Sequence, residues 1–214
     1  MVTVRNLALG VVASAIAVAS AGMIAAAHDK KTKKEPLVLG DYGVMYVGGE
    51  YVLKDGTTVE GRIKTGQAHV EYFLPAKKTG KLPVIMIHGS WQTGVNFLST
   101  PDGRQGWALD FVRRGYPVYV VDQPARGRSV YHPQTNGGLS GGDTVSVQTR
   151  FTAPEKFPGN WPQAQLHTQW PGTGLYGDQH FDQFFASQVE NAGNGEVLTT
   201  LAVTELLDKI GPRS

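Results

Sequence analysis

The apolar positions of this chain change their period more than once, and each change marks a different kind of element. From 42 to 74 they alternate. Val44, Tyr46, Tyr51 and Leu53 stand on either side of Gly48-Gly49, and His69 to Leu74 repeats the pattern before Pro75. Short alternating runs broken by glycine signals predict antiparallel hairpins, with turns at Gly48-Gly49 and at Asp55-Gly56 ahead of Val59, Arg62 and Ile63. The run Val84-Ile85-Met86-Ile87 has no polar face, which suits a strand covered on both sides in a parallel sheet. Trp107, Leu109, Phe111 and Val112 then take helical spacing. Arg113 and Arg114 suit the negative end of a helix, and Gly115 suits its cap. Tyr116 to Val121 is a second buried strand, ending at Asp122. Strand, helix and strand at this spacing predict a right-handed parallel βαβ unit.

From Tyr131 to Asn194 the regularity disappears into a Gly- and Pro-rich stretch holding Phe151, Phe157, Trp161 and Trp170. A structureless loop of this length inside a compact domain is rare unless it has a function, and its aromatic residues argue against disorder. Val197, Leu198, Leu201, Leu206, Leu207 and Ile210 predict an amphipathic helix stopped by Gly211-Pro212. The N-terminus reads as an address. Arg5 precedes the uncharged run Leu7 to Val18, and Ala19-Ser20-Ala21 or Ala25-Ala26-Ala27 offers a cleavage site. Residues 1–27 are therefore expected to be a signal peptide and the chain to be exported to the periplasm or beyond. An uncleaved anchor is the alternative, although the run is shorter than the ~20 residues of a membrane span. Residues 28–41 read as a lysine-rich linker and 42–214 as part of one domain, with 130–195 as a lid-like insertion.

Composition narrows the classes. The chain has no cysteine, which excludes disulfides and thiolate metal sites. The formal charge of its 214 residues is only +2, with the excess gathered in the linker, so no basic face argues for nucleic acid.

Candidate chemistry enters with a resemblance. Val84-Ile85-Met86-Ile87-His88-Gly89-Ser90-Trp91 resembles the strand-plus-His-Gly segment of α/β-hydrolases, and Gly115 to Asp122 resembles their following strand. Asp122-Gln123-Pro124-Ala125-Arg126-Gly127-Arg128-Ser129 is similar to their Asp-x-x-Gly-x-Gly-x-Ser turn, with Ala125 in place of the first glycine. The loop Thr100 to Trp107 is most similar to the secreted esterase branch. The resemblance implies an α/β class fold with a mostly parallel sheet and N-terminal antiparallel hairpins. In acyl transfer the developing oxyanion needs preorganised backbone donors, each worth roughly 3 kcal/mol of barrier. By resemblance one donor is the N–H of Ser90, with Trp91 beside it in the oxyanion hole. Gly89 permits close approach, His88 braces the loop, and Asp122 and Gly127 hold the turn. No cofactor is implied. The nucleophile belongs to a Gly-x-Ser-x-Gly elbow on the next parallel strand, and no such motif occurs in the chain. Nucleophile, acid and base are therefore expected beyond Ser214. The fold is expected to be incomplete at its C-terminus, to expose Tyr116–Val121 as an apolar edge, and to be inactive alone.

Other features compete for a role. Ser90 as a nucleophile lacks an elbow and a paired base. Ser129 reads as a turn-stabilising hydroxyl, and Asp122 as a turn aspartate sooner than a catalytic acid. Gly172-Thr173-Gly174-Leu175-Tyr176-Gly177 matches the dinucleotide fingerprint but follows no buried strand. Asp178, His180 and Asp182 with His167 have metal-ligand chemistry without a framework, so no metal site is expected. Trp161 and Trp170 are either packing residues or the wall of a lipophilic pocket. The expectation is a carboxylic ester hydrolase acting by serine acyl transfer on a small lipophilic ester. A lactone or carbon–carbon bond hydrolase of the same fold, or a non-catalytic binding protein, is the alternative. Nothing in the sequence indicates an oligomeric state.

Overall fold

The computed structural model describes residues 35–55, 60–77 and 79–211. The expected signal peptide, the first half of the linker and Pro212 lie outside the described residues, as do Gly56 and Val59. Among the described residues no helix is long and apolar enough to cross a membrane.

Strand β1 (Leu39–Leu53) and strand β2 (Arg62–Pro75) form one long antiparallel hairpin. The Gly48-Gly49 pair, expected to turn the chain, lies inside β1. Both glycines have left-handed φ, at +71° and +79°, and bend the strand without ending it. A Cβ on Gly48 would fall 2.9 Å from the Cα of Ala202, and one on Gly49 would fall 2.7 Å from the backbone of β2. The pair is therefore a kink that admits a helix, and the several expected hairpins reduce to one.

Strand β3 (Val84–Ile87), helix α1 (Trp107–Arg113) and strand β4 (Val118–Asp122) form the expected parallel βαβ unit. Gly115 follows the helix with φ +85°, the left-handed conformation that suits glycine at a helix end. The sheet order is β1-β2-β4-β3, and β2 pairs antiparallel with β4 from His69↔Asp122 to Phe73↔Val118. The four-stranded sheet is mixed, and the expected mostly parallel sheet is not seen among the described residues: two of its three pairings are antiparallel. The reason is length, because the hairpin contributes far more strand than the four- and five-residue parallel pair. The expected edge at Tyr116–Val121 is also corrected. β4 sits between β2 and β3, so the open edge on that side is Val84–Ile87.

Each face of the sheet packs against a helix, although β1 leaves Tyr42, Val44 and Tyr46 about half exposed. On one, Val47, Ala68, Val70, Tyr119 and Val121 pack against Ala202, Leu206 and Ile210. On the other, Phe73, Met86, Val118 and Val120 pack against Ala108 and Val112 of α1. Each of the larger aliphatic side chains among them contributes about 1.5–3 kcal/mol by leaving water.

The stretch after β4 is regular in short pieces. It holds α2 (Pro133–Asn136), β5 (Leu139–Ser140), α3 (Thr144–Val147), several 3-10 and π turns, α4 (Gln179–Ala186) and β6 (Asn191–Ala192), which pairs with β5. Helix α5 (Gly195–Ile210) then covers the sheet, with Gly211 at φ +62° beyond it. Its apolar stripe is narrower than the sequence suggests. Ala202, Leu206 and Ile210 are buried, whereas Val197, Leu201 and Leu207 stay 66, 60 and 53% exposed.

Candidate active site

The C-terminal ends of β3 and β4 lie side by side in the parallel pair, so the loops that leave them meet. At the end of β4, Asp122 is 1% exposed and fully engaged. Its Oδ1 accepts from the N–H of Gly94 at 2.7 Å, and its Oδ2 accepts from the N–H and Nε of Arg128 at 3.0 and 2.8 Å. Burial alone would raise its pKa. The hydrogen bonds from Arg128 and Gly94 and the guanidinium charge outweigh burial and hold the carboxyl below its usual value. Arg128 also donates to Glu71 of β2 at 2.6 Å, and Tyr42 of β1 donates to the other oxygen of Glu71 at 2.8 Å. Asp122 thereby ties the β4 turn both to the loop after β3 and to the hairpin.

Gly127 is required where it stands. Its φ is +52°, and a Cβ there would lie 2.7 Å from Asp122 Oδ2. Ala125 has φ +61°, a left-handed conformation in which glycine would carry no penalty. The first glycine of the turn motif is thus replaced by a residue that still takes the glycine conformation. Ser129 Oγ donates to the carbonyl of Asp122 at 2.6 Å and accepts from the N–H of His69 at 2.8 Å, closing the β2–β4 ladder.

The loop after β3 is held just as closely. His88 is 4% exposed. Its Nε2 accepts from the N–H of Gln123 at 3.0 Å, which leaves the proton on Nδ1 to donate to Gly89 O at 2.9 Å. Burial pushes its pKa below the ordinary imidazole value, so the ring is neutral in this role. The side chain of Gln123 donates to His88 O and accepts from Thr199 of α5 at 3.1 Å. Arg126 Nη1 donates to Gly89 O at 2.9 Å. Trp91, with φ +60°, donates its N–H to Asn191 Oδ1 at 2.9 Å, and its carbonyl accepts from Val189 at 2.9 Å. Its ring packs edge-on to Phe151, and Arg150 lies over it at 5.7 Å.

The structure therefore brings His88, Gly89, Ser90, Trp91, Asp122 and Gly127 to one end of the sheet. Of the two residues expected in the oxyanion hole, Trp91 has committed its N–H to Asn191. Ser90 is the one whose N–H has no protein acceptor among the described residues. No serine hydroxyl among the described residues is bonded to a histidine ring. Gln123, Arg126, Asn191 and Thr199 complete the arrangement, and sequence reasoning assigned them no role. Only Gln123 and Arg126 gave a signal, by falling inside the turn motif.

The other candidates go elsewhere. Asp178 caps α4, accepting from His180 and Phe181 at 2.8 and 3.3 Å and from the N–H of Thr173 at 2.9 Å. The segment without an expected framework is thus a capped helix. Asp182 accepts from Gly177, and His167 pairs with Glu155 at 3.0 Å, so these residues do not converge on a common point. The glycines of the Gly172–Gly177 fingerprint have φ of +81, +68 and +86°; Gly172 lies against the Asp178 carboxylate, whereas Gly174 lies against the backbone of Thr152. Trp170 packs on Phe184 of α4 at 5.3 Å, and Trp161 is half exposed.

No protein-family model matches the chain. It is 44% identical over 170 residues to a probable secreted lipase, phiG, of Fungal sp. (strain ATCC 74256). That match takes in 78% of this chain and 43% of the lipase, so the chain spans less than half the length of this curated relative. Among solved structures, a novel bacterial esterase determined at atomic resolution superposes with a TM-score of 0.65 at 27% identity, over 82% of this chain and 59% of the esterase. In both sequence and fold the chain is similar to esterase- and lipase-like hydrolases, in keeping with an α/β-hydrolase branch.

Proposed function

With that similarity as the premise, we propose that the chain supplies the oxyanion-stabilising half of an exported carboxylic ester hydrolase that works by serine acyl transfer. The observation that carries this reading is the N–H of Ser90, left without a protein acceptor among the described residues, in a peptide whose carbonyl, Gly89 O, is held by His88 and Arg126, and beside Trp91, whose N–H and carbonyl are both anchored. Such a donor, fixed before substrate arrives, is what a developing tetrahedral oxyanion needs. Export is supported by the layout of residues 1–27 and by the secreted relative. The substrate is a small, lipophilic ester. The insertion of residues 130–195 serves as a cover, because Phe151, Val189 and Asn191 all rest on Trp91.

In this reading the 214 residues hold no catalytic nucleophile. The purified chain is expected to give no turnover of p-nitrophenyl butyrate above background and no labelling by a serine-directed fluorophosphonate. Covalent labelling of any of its serines overturns that part. For the oxyanion role, residues 35–211 replace the matching part of the secreted lipase, and Ser90→Pro removes the N–H. A loss of roughly 10²–10³ in kcat is expected with KM little changed. A folded chimera whose kcat survives Ser90→Pro refutes the role.

A further inference from the structure

A peptide unit is planar, so whatever fixes its carbonyl fixes its N–H on the opposite side. The N–H of Ser90 belongs to the peptide whose carbonyl is Gly89 O. Two donors reach that oxygen, His88 Nδ1 at 2.9 Å and Arg126 Nη1 at 2.9 Å. One comes from the same loop. The other comes across from the β4 turn, where the left-handed residues Ala125 and Gly127 flank Arg126 and its N–H is tied to Gln123 O at 3.1 Å. A carbonyl oxygen has two lone pairs, and donors from two directions leave its peptide little freedom to rotate.

The charge of Arg126 is harder to explain as packing. Its guanidinium is half buried, and burial pulls its pKa down from the usual arginine value. Among the described residues it forms no ion pair, in contrast to Arg128 two positions on, which holds two carboxylates. An uncompensated, partly desolvated cation carries a cost that a neutral donor at the same place would not. What it gains is a charge-assisted bond to Gly89 O. Such a bond draws electron density toward the oxygen and makes the N–H of the same peptide a stronger donor.

We propose that Arg126 is a positioning residue that aims and polarises the Ser90 N–H through the Gly89 carbonyl. Its catalytic consequence rests on the oxyanion role of Ser90 proposed above; its effect on the peptide does not. The test therefore reads the peptide directly, in the full 214-residue chain labelled with ¹⁵N. In Arg126→Ala and in the uncharged Arg126→Gln, the Ser90 amide proton moves upfield and its base-catalysed exchange with solvent slows. Arg126→Lys restores part of both effects, and the amides of β3 and β4 stay in place. A Ser90 amide unmoved in Arg126→Gln overturns the proposal. So does a shift shared by the strand amides, which marks a purely structural role. In the lipase chimera, Arg126→Gln lowers kcat on the order of tenfold at constant KM. If Ser90→Pro leaves kcat intact, the oxyanion reading falls while the amide result stands. If Ser90→Pro abolishes activity and Arg126→Gln moves neither kcat nor the Ser90 amide, the positioning role alone falls.

Discussion

Two carboxylates in this protein are cradled in the same way and do different things. Asp122 and Asp178 each accept backbone N–H donors on both oxygens, and each is approached by a left-handed glycine with no room for a side chain. A Cβ on Gly127 would lie 2.7 Å from Asp122, and one on Gly172 would lie 2.5 Å from Asp178. The donors to Asp178 all come from Thr173, His180 and Phe181, so it closes one turn onto one helix. The donors to Asp122 come from Gly94 and Arg128, and Arg128 reaches on to Glu71 in the hairpin. Local chemistry is shared; the sequence distance of the donors and the depth of burial decide whether the device holds a turn or a site.

The largest effect expected from breaking this comparison is at Asp122. Asp122→Ala removes a buried acceptor and leaves the N–H of Gly94 unpaired, which is expected to cost about 3 kcal/mol in urea unfolding. A loss no greater than that at Asp178 would erase the distinction. Acid titration comes next. Both carboxyls are held below their usual value of 3.8, so each stabilises the fold above that pH and the contribution disappears as pH falls toward the lowered folded-state value. The Tm of the wild type should fall steeply below pH about 4. Asp122→Asn should flatten that slope more than Asp178→Asn does. Asp178→Ala, the loss of a helix cap, is expected to cost about 1 kcal/mol and to speed amide exchange in α4 alone. The smallest change is Ala125→Gly. It relieves a left-handed alanine and is expected to stabilise by about 0.5 kcal/mol, the strain relief being partly offset by chain entropy. Destabilisation by Ala125→Gly would show that the methyl group, 5% exposed, matters more than the backbone.

The same contrast explains what was legible in the sequence. β3, α1 and β4 were readable because unbroken apolar runs and helical spacing are local, and the turn motif gave Asp122 and Gly127. Gly48-Gly49 misled because a glycine pair marks either a turn or a close approach. Only the position of Ala202, far along the chain, decides which. α4 was missed although Asp178 and the Phe181–Phe184–Phe185 spacing announce a capped helix, because it is short and sits in a Gly- and Pro-rich stretch. Asn191 and Thr199 gave no signal. Each acts on a partner far away in sequence, Trp91 in one case and Gln123 in the other.

The join between the hairpin and the parallel pair has a consequence for how the chain folds. β1 and β2 are neighbours in sequence and zip over nearly their whole length, from Leu53↔Arg62 to Leu39↔Pro75, whereas β2 meets β4 only from His69↔Asp122 to Phe73↔Val118. The first ladder closes a short loop and the second must first gather the whole βαβ segment, at a larger loss of loop entropy. The hairpin is thus expected to form early, with a small kinetic barrier of its own. Docking of β4, latched at its end by the Ser129 hydroxyl, is expected to be the slow event that commits the chain.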